Sequence, residues 1–129
     1  MIAEEVGRRI AEAGAVLVCG GMGGVMAAAC RGAKQARGLT IGILPSADRA
    51  EANEWVAVAV ATGIGEARNL AIIQTSDVLI AVGGSYGTLS EIGFALKAGK
   101  WVVGLQTWDI EGIEPADSPA SAVALAHNS

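Results

Sequence analysis

The feature that most limits what this chain can fold into is a repeat inside it. VLVCGGMGGVM at 16–26 and LIAVGGSYGTL at 79–89 share one plan: an apolar run, a glycine-rich turn, then a helical segment. Laid over each other, residues 16–34 fall on 79–97, and Lys34 meets Lys97. An apolar run without polar alternation suits a strand buried on both faces, the condition of a parallel sheet covered by helices.

The rest of the chain keeps the same rhythm. Ile2, Val6 and Ile10 recur at helical spacing among Glu4, Glu5, Arg8, Arg9 and Glu12, so 2–13 reads as an amphipathic helix ended at Gly14. AVLVC (15–19) reads as a strand, GGMGG (20–24) as a turn and VMAAACRGAKQAR (25–37) as a helix ended at Gly38. LTIGIL (39–44) is a strand stopped by Pro45; residues 45–63 are less regular, with VAVAV (56–60) as a short strand. A helix over 65–75 points Leu70 and Ile73 inward, followed by a strand at 77–82, a turn at 83–87, a helix at 88–99 and a strand at 101–105. A last helix lies within 115–127, with Ser118 as N-cap and Pro119 at the first helical position. The expected fold is α/β, a Rossmann-like three-layer sandwich around a parallel sheet, formed by one domain over 1–129.

Charge and cysteine usage narrow the function. All nine basic residues lie at or before Lys100, balanced there by nine acidic ones; Asp109, Glu111, Glu114 and Asp117 then give the net charge of −4. No basic stripe exists, which argues against a nucleic-acid partner. No segment is long enough to span a bilayer, so a soluble cytoplasmic protein without a membrane partner is expected. Cys19 and Cys30 fit no metal spacing and read as two buried free thiols; His127 stands alone, so no metal site is expected. Trp55, Trp101 and Trp108 read as packing residues, with Trp108 placed to border a pocket.

In a parallel α/β sheet, ligands bind beyond the carboxyl ends of the strands. Both glycine turns sit there, each handing a strand to a helix N-terminus whose unpaired N–H groups favour an anion. The candidate phosphate-binding residues are therefore Gly20, Gly21, Gly23 and Gly24 in the first turn, and Gly84, Ser85, Tyr86, Gly87 and Thr88 in the second. Thr88-x-x-Glu91 has the pattern of a capping box. Arg68 and Asn69 suit a solvated helix start, and Asp77 a turn. Only the second repeat carries a carboxylate, Glu91, where the first has Ala28.

GEARNLAIIQTSDVLIAVGGSYGTLSEIGFALKAGK resembles the signature of the LOG family, formerly misnamed "possible lysine decarboxylase". ARN, GTLSE and ALKAGK are similar to its bacterial Rossmann-fold nucleotide-binding branch, related to molybdenum cofactor carrier proteins, and CGGMGGVMAAACRGA resembles the family's first phosphate loop. The resemblance runs from about residue 5 to 106. It implies hydrolysis of the base–ribose bond of a nucleoside 5′-monophosphate, a phosphoribohydrolase reaction. In that reading Glu91 stabilises the oxocarbenium-like sugar or activates water, and Arg68 orients Glu91 or the phosphate. The N–H groups of 21–24 and 85–88 would hold the phosphate. No cofactor is implied, and a homodimer is. The family's Pro-Gly-Gly-x-Gly-Thr-x-x-Glu pattern is met at Gly84, Gly87, Thr88 and Glu91, with Gly83 in place of Pro and Ser85 in place of Gly. The family begins with a strand before its first helix, and this chain begins inside that helix. An N-terminal truncation or a misplaced start codon is expected, with strands 15–19 and 77–82 either flanking a gap one strand wide or closed on each other. Two function classes stay open: the hydrolase, and a non-catalytic nucleotide or molybdenum-cofactor carrier.

Overall fold

The structure is a computed structural model and describes residues 2–128. Its elements are α1 (Ile2–Glu12), β1 (Leu17–Cys19), α2 (Val25–Gln35), β2 (Thr40–Leu44), a 3₁₀ turn (Arg49–Glu51), β3 (Val58–Ala61), a second 3₁₀ turn (Gly65–Ala67), α3 (Arg68–Thr75), β4 (Val78–Val82), α4 (Tyr86–Lys97), β5 (Trp101–Leu105), β6 (Ile113–Ala116) and α5 (Pro119–His127). The chain forms two compact units, divided within α3 between Ile72 and Ile73. Each carries a three-stranded sheet, ordered β1-β2-β3 in the first and β4-β5-β6 in the second. Every pairing is parallel, so the fold is the Rossmann-like α/β class that the apolar strands call for.

In the first unit Leu17, Cys30 and Ala33 form a buried cluster, with Ile10, Trp55 and Val56 packed against it. α1 and α2 touch backbone to backbone. A Cβ on Gly7 would overlap the Ala29 carbonyl, and one on Gly32 the Glu4 carbonyl. Thr40 is the buried polar residue among the described residues of this unit. It is satisfied twice: its hydroxyl donates to the Trp55 carbonyl at 2.7 Å and accepts from the Ala57 amide at 2.8 Å. On the outer face of α1, Glu5 is bonded by Arg8 and by Arg9, the latter at 2.8 Å. The two guanidinium groups hold its carboxyl down to about 2, Arg8 being the larger cause.

In the second unit Ile73, Ala81, Ile92, Ala95 and Val102 make the core, with Trp108 and Ile113 against it. α5 begins as its sequence foretells. Ser118 accepts from the Ser121 amide at 3.1 Å, Ser121 returns the bond to the Ser118 amide, and Pro119 opens the helix.

Several expectations need correction. α4 starts at Tyr86, not at residue 88, because Ser85 is its N-cap. Thr88 is therefore inside the first turn and is not the cap of a Thr88–Glu91 capping box. β6 was not expected: its Pro115 and Ala116 fall in the stretch read as holding the last helix. Pro115 is tolerated because β6 is the terminal strand of its sheet, where a missing N–H need not interrupt a ladder. Leu70 is 44% exposed while Ile72 and Ile73 are buried, so the inward face of α3 is one residue further round. α2 ends before Arg37, which itself takes the left-handed conformation (φ 64°) expected of Gly38. Trp101 is half exposed rather than packed. Cys19 is half-buried, not fully buried like Cys30.

Candidate functional site

The first glycine turn is built from packing demands at its start and openness at its end. A Cβ on Gly20 would collide with the Arg68 guanidinium and the Met26 sulfur, and one on Gly21 would lie 2.9 Å from Gly42 Cα. These two glycines let the turn lie flat on β2 and make room for Arg68. Gly23 and Gly24 are different: a Cβ at either would meet nothing within 4 Å. Gly24 is the N-cap of α2 with φ 63° and ψ −129°, a conformation other residues rarely adopt. Among the described residues no side chain caps this helix, and its first turn holds no acidic residue. The first bond back to the cap comes from the Ala28 amide, to Gly24 O at 3.1 Å. The amides of residues 25–27 therefore face outward over an open surface, the arrangement that takes an anion.

Two side chains fix this turn from outside it. Asn53, in the irregular stretch before β3, donates from Nδ2 to the Met22 carbonyl at 2.8 Å, and its own amide donates to the Gly21 carbonyl at 2.8 Å. Its Oδ1 accepts from the Trp55 amide at 3.0 Å. Arg68, at the start of α3, donates from Nη1 to the carbonyls of Gly20 and Ile43, both at 2.7 Å. That guanidinium nitrogen is a clamp between the turn and the end of β2. Arg68 Nε is buried without a hydrogen-bond partner among the described residues, an arrangement that costs about 1–3 kcal/mol in general.

Beneath the turn lie the two thiols. Cys19 Sγ is 3.4 Å from Cys30 Sγ and accepts the Gly21 amide at 3.3 Å. The pair shares an ionisation. The hydrogen bond with Cys19 is the main cause bringing the Cys30 thiol down to about 7; burial opposes it and Asn53 assists. Cys19 is pushed well above the ordinary thiol range, first by that same bond and then by burial.

The second turn, in the other unit, is organised differently. Ser85 Oγ accepts the Thr88 amide at 3.1 Å and lies 2.9 Å from Thr88 Oγ1. One N–H of this helix start is thus already satisfied by the chain itself. The segment after β5 holds the turn: Thr107 Oγ1 donates to Gly83 O at 2.5 Å, and Trp108 Nε1 donates to Ser85 O at 3.1 Å. Gly83 has φ 86°, a value that proline, the residue of the resembled pattern, cannot take. Tyr86 is 82% exposed and stacks on Trp108, ring centroids 6.1 Å apart. A Cβ on Gly84 would meet nothing within 4 Å, and one on Gly87 would make only ordinary contact with Ser85 Oγ at 3.8 Å. Glu91 is half-buried on α4, beyond Thr88.

The structure thus gathers Gly20, Gly21, Gly23, Gly24 and Arg68 in one unit, and Gly84, Ser85, Tyr86, Gly87, Thr88 and Glu91 in the other. Sequence reading passed over Asn53 and Thr107. Asn53 lies in a stretch without periodicity, and no local pattern marks it. Thr107 carried a faint signal, since it follows the carboxyl end of a strand beside Trp108.

A model of the SLOG cluster4 family matches residues 1–128. The chain belongs to that family. This places it among SLOG proteins rather than under the lysine-decarboxylase label. An uncharacterized protein of Archaeoglobus fulgidus is 48% identical over 95% of this chain and 81% of its own length. Among solved structures, the molybdenum cofactor binding protein of the phototrophic bacterium Rippkaea orientalis is 41% identical, with a TM-score of 0.91 over 96% of this chain and 83% of that one. The molybdenum cofactor carrier protein of Chlamydomonas reinhardtii is 38% identical, with a TM-score of 0.89 over 98% and 85%. No helix among the described residues of this SLOG protein is long and apolar enough to cross a membrane.

Proposed function

We propose that this protein is a carrier that binds a phosphorylated heterocyclic small molecule of the molybdenum-cofactor kind, with the phosphate on the first glycine turn. The observation that carries the reading is the α2 N-terminus: uncapped, free of acidic residues in its first turn, and open in front of Gly23 and Gly24. An anion there would receive N–H groups of residues 25–27 and the favourable end of the helix dipole. The sequence identities of 41% and 38% to molybdenum-cofactor-binding proteins support the cargo class. In the second unit, by contrast, Ser85 already satisfies one N–H of the helix start that an anion would need.

The test is equilibrium binding of the purified chain to molybdenum cofactor freshly released from a molybdoenzyme, beside a panel of nucleoside 5′-monophosphates. Saturable binding of the cofactor, with no free base or ribose 5-phosphate released from the nucleotides, is the expected result. Binding of none of them would end the proposal.

A second reading, phosphoribohydrolase activity on a nucleoside 5′-monophosphate, is favoured by one observation: Glu91 follows Gly87 and Thr88 in the register of the LOG pattern, with Arg68 at that pattern's arginine. Under it, nucleotide turnover should exist and should fall roughly 10²–10⁴-fold in Glu91→Gln, the usual weight of an acid–base group. Such a loss at unchanged melting temperature would replace the carrier reading.

A further inference from the structure

Cys19 closes β1 and Cys30 faces it from α2, with 3.4 Å between the sulfurs. Residues 20–29, and so the whole first glycine turn, lie between the two cysteines in the chain. The Cys19 sulfur is itself part of that turn's hydrogen bonding, because it accepts the Gly21 amide. A pair serving only as small apolar filler has no need of that bond. As whole residues, Cys30 is fully buried and Cys19 half-buried.

We propose that Cys19 and Cys30 are a redox-active dithiol whose oxidation to an intrachain disulfide resets the 20–24 turn. A disulfide needs the sulfurs about 2.05 Å apart, so they must close by roughly 1.4 Å. The oxidant is a small hydroperoxide. The sulfur of the pair that carries the thiolate attacks the peroxide O–O bond. This gives a sulfenic acid on that cysteine and expels hydroxide (alkoxide from an organic hydroperoxide). The other cysteine gives its proton to that leaving group, and its thiolate attacks the sulfenic sulfur. The S–O bond breaks as the S–S bond forms, and a second hydroxide leaves. Two electrons pass from the thiol pair to the peroxide. With hydrogen peroxide, one thiolate, one thiol and one peroxide yield one disulfide, one water and one hydroxide. Once Cys19 Sγ is drawn toward Cys30, the Gly21 amide loses its acceptor and the turn in front of α2 shifts.

The test needs no ligand, so it can fail independently of the proposed function. The full chain, reduced and then treated with equimolar hydrogen peroxide, is blocked with iodoacetamide under denaturing conditions and weighed intact. The expected product is a monomer lighter by two hydrogens, with no alkylated cysteine, and restored by dithiothreitol. Its amide NMR spectrum should show Gly21 moved while α5 signals stay in place. In Cys30→Ala the same treatment should leave a sulfenic or sulfinic acid on Cys19. Wild-type protein that takes up two alkyl groups, gains oxygen without losing two hydrogens, or becomes disulfide-linked only between chains would overturn the proposal. So would a disulfide that leaves the Gly21 amide unmoved.

Discussion

Replacing Asn53 by alanine tests how the first glycine turn is held. The substitution removes two bonds, Nδ2 to the Met22 carbonyl at 2.8 Å and Oδ1 from the Trp55 amide at 3.0 Å. It keeps a third, because the residue 53 amide still donates to Gly21 O. A net hydrogen bond is worth about 0.5–1.5 kcal/mol, and an abandoned partner in a half-buried site adds to the loss. The expected destabilisation is about 2 kcal/mol, or roughly 6–10 °C in melting temperature for a chain of this size. Thermal unfolding followed by circular dichroism reads the magnitude. Amide spectra read the location: residues 21–24 and 55 should shift, and α5 should not. Asn53→Asp retains the acceptor for Trp55 but sets a carboxylate against the Met22 carbonyl, so its turn amides should shift while Trp55 stays put. A melting temperature within about 1 °C of wild type for Asn53→Ala, with unmoved turn amides, would refute the idea that this side chain braces the turn.

Gly23→Ala and Gly24→Ala should separate space from conformation. Both positions are open, but only Gly24 has a positive φ, so Gly24→Ala should lose about 1–3 kcal/mol of stability and Gly23→Ala almost none, checked by urea unfolding. Under the proposed function Gly23→Ala should nonetheless weaken molybdenum cofactor binding, since its methyl group would stand where the proposal puts the phosphate. The Glu5 cluster predicts an acid-side effect. Its folded-state carboxyl is held at about 2 against an ordinary 4.5, so it stabilises fully above pH 4.5 and that share is lost as pH falls from there toward 2. Glu5→Gln should flatten this part of the pH–stability profile at low salt and change little in high salt.

How much of this was legible beforehand depends on whether the cause was local. The parallel strands were readable because Leu17–Cys19, Thr40–Leu44, Val78–Val82 and Trp101–Leu105 are apolar without alternation. α5 was readable because Ser118-Pro119 is a local start signal. β6 was hidden because Pro115 is acceptable only at a sheet edge, which is a tertiary fact. The α4 start was misjudged because Ser85 and Thr88 are both good caps, and the bonds Thr107 and Trp108 make to Gly83 and Ser85 come from a distant stretch of chain. The glycines of the first turn were grouped as one phosphate cradle. The structure separates Gly20 and Gly21, which serve packing against Arg68 and Gly42, from Gly23 and Gly24, which leave space. Asn53 and the Cys19–Cys30 contact depend on approaches between segments that no spacing rule records.

The proposed function rests on a phosphate received by the uncapped start of α2. Its most direct test is an amide NMR titration of the chain with molybdopterin and, separately, with dephosphorylated molybdopterin. The phosphorylated compound should move the amides of residues 23–27 first. Binding without the phosphate should be at least roughly tenfold weaker, since even one charge-assisted hydrogen bond is worth about 1.5–3 kcal/mol. Equal binding of the two compounds, or saturation with residues 23–27 unmoved, would contradict the proposal.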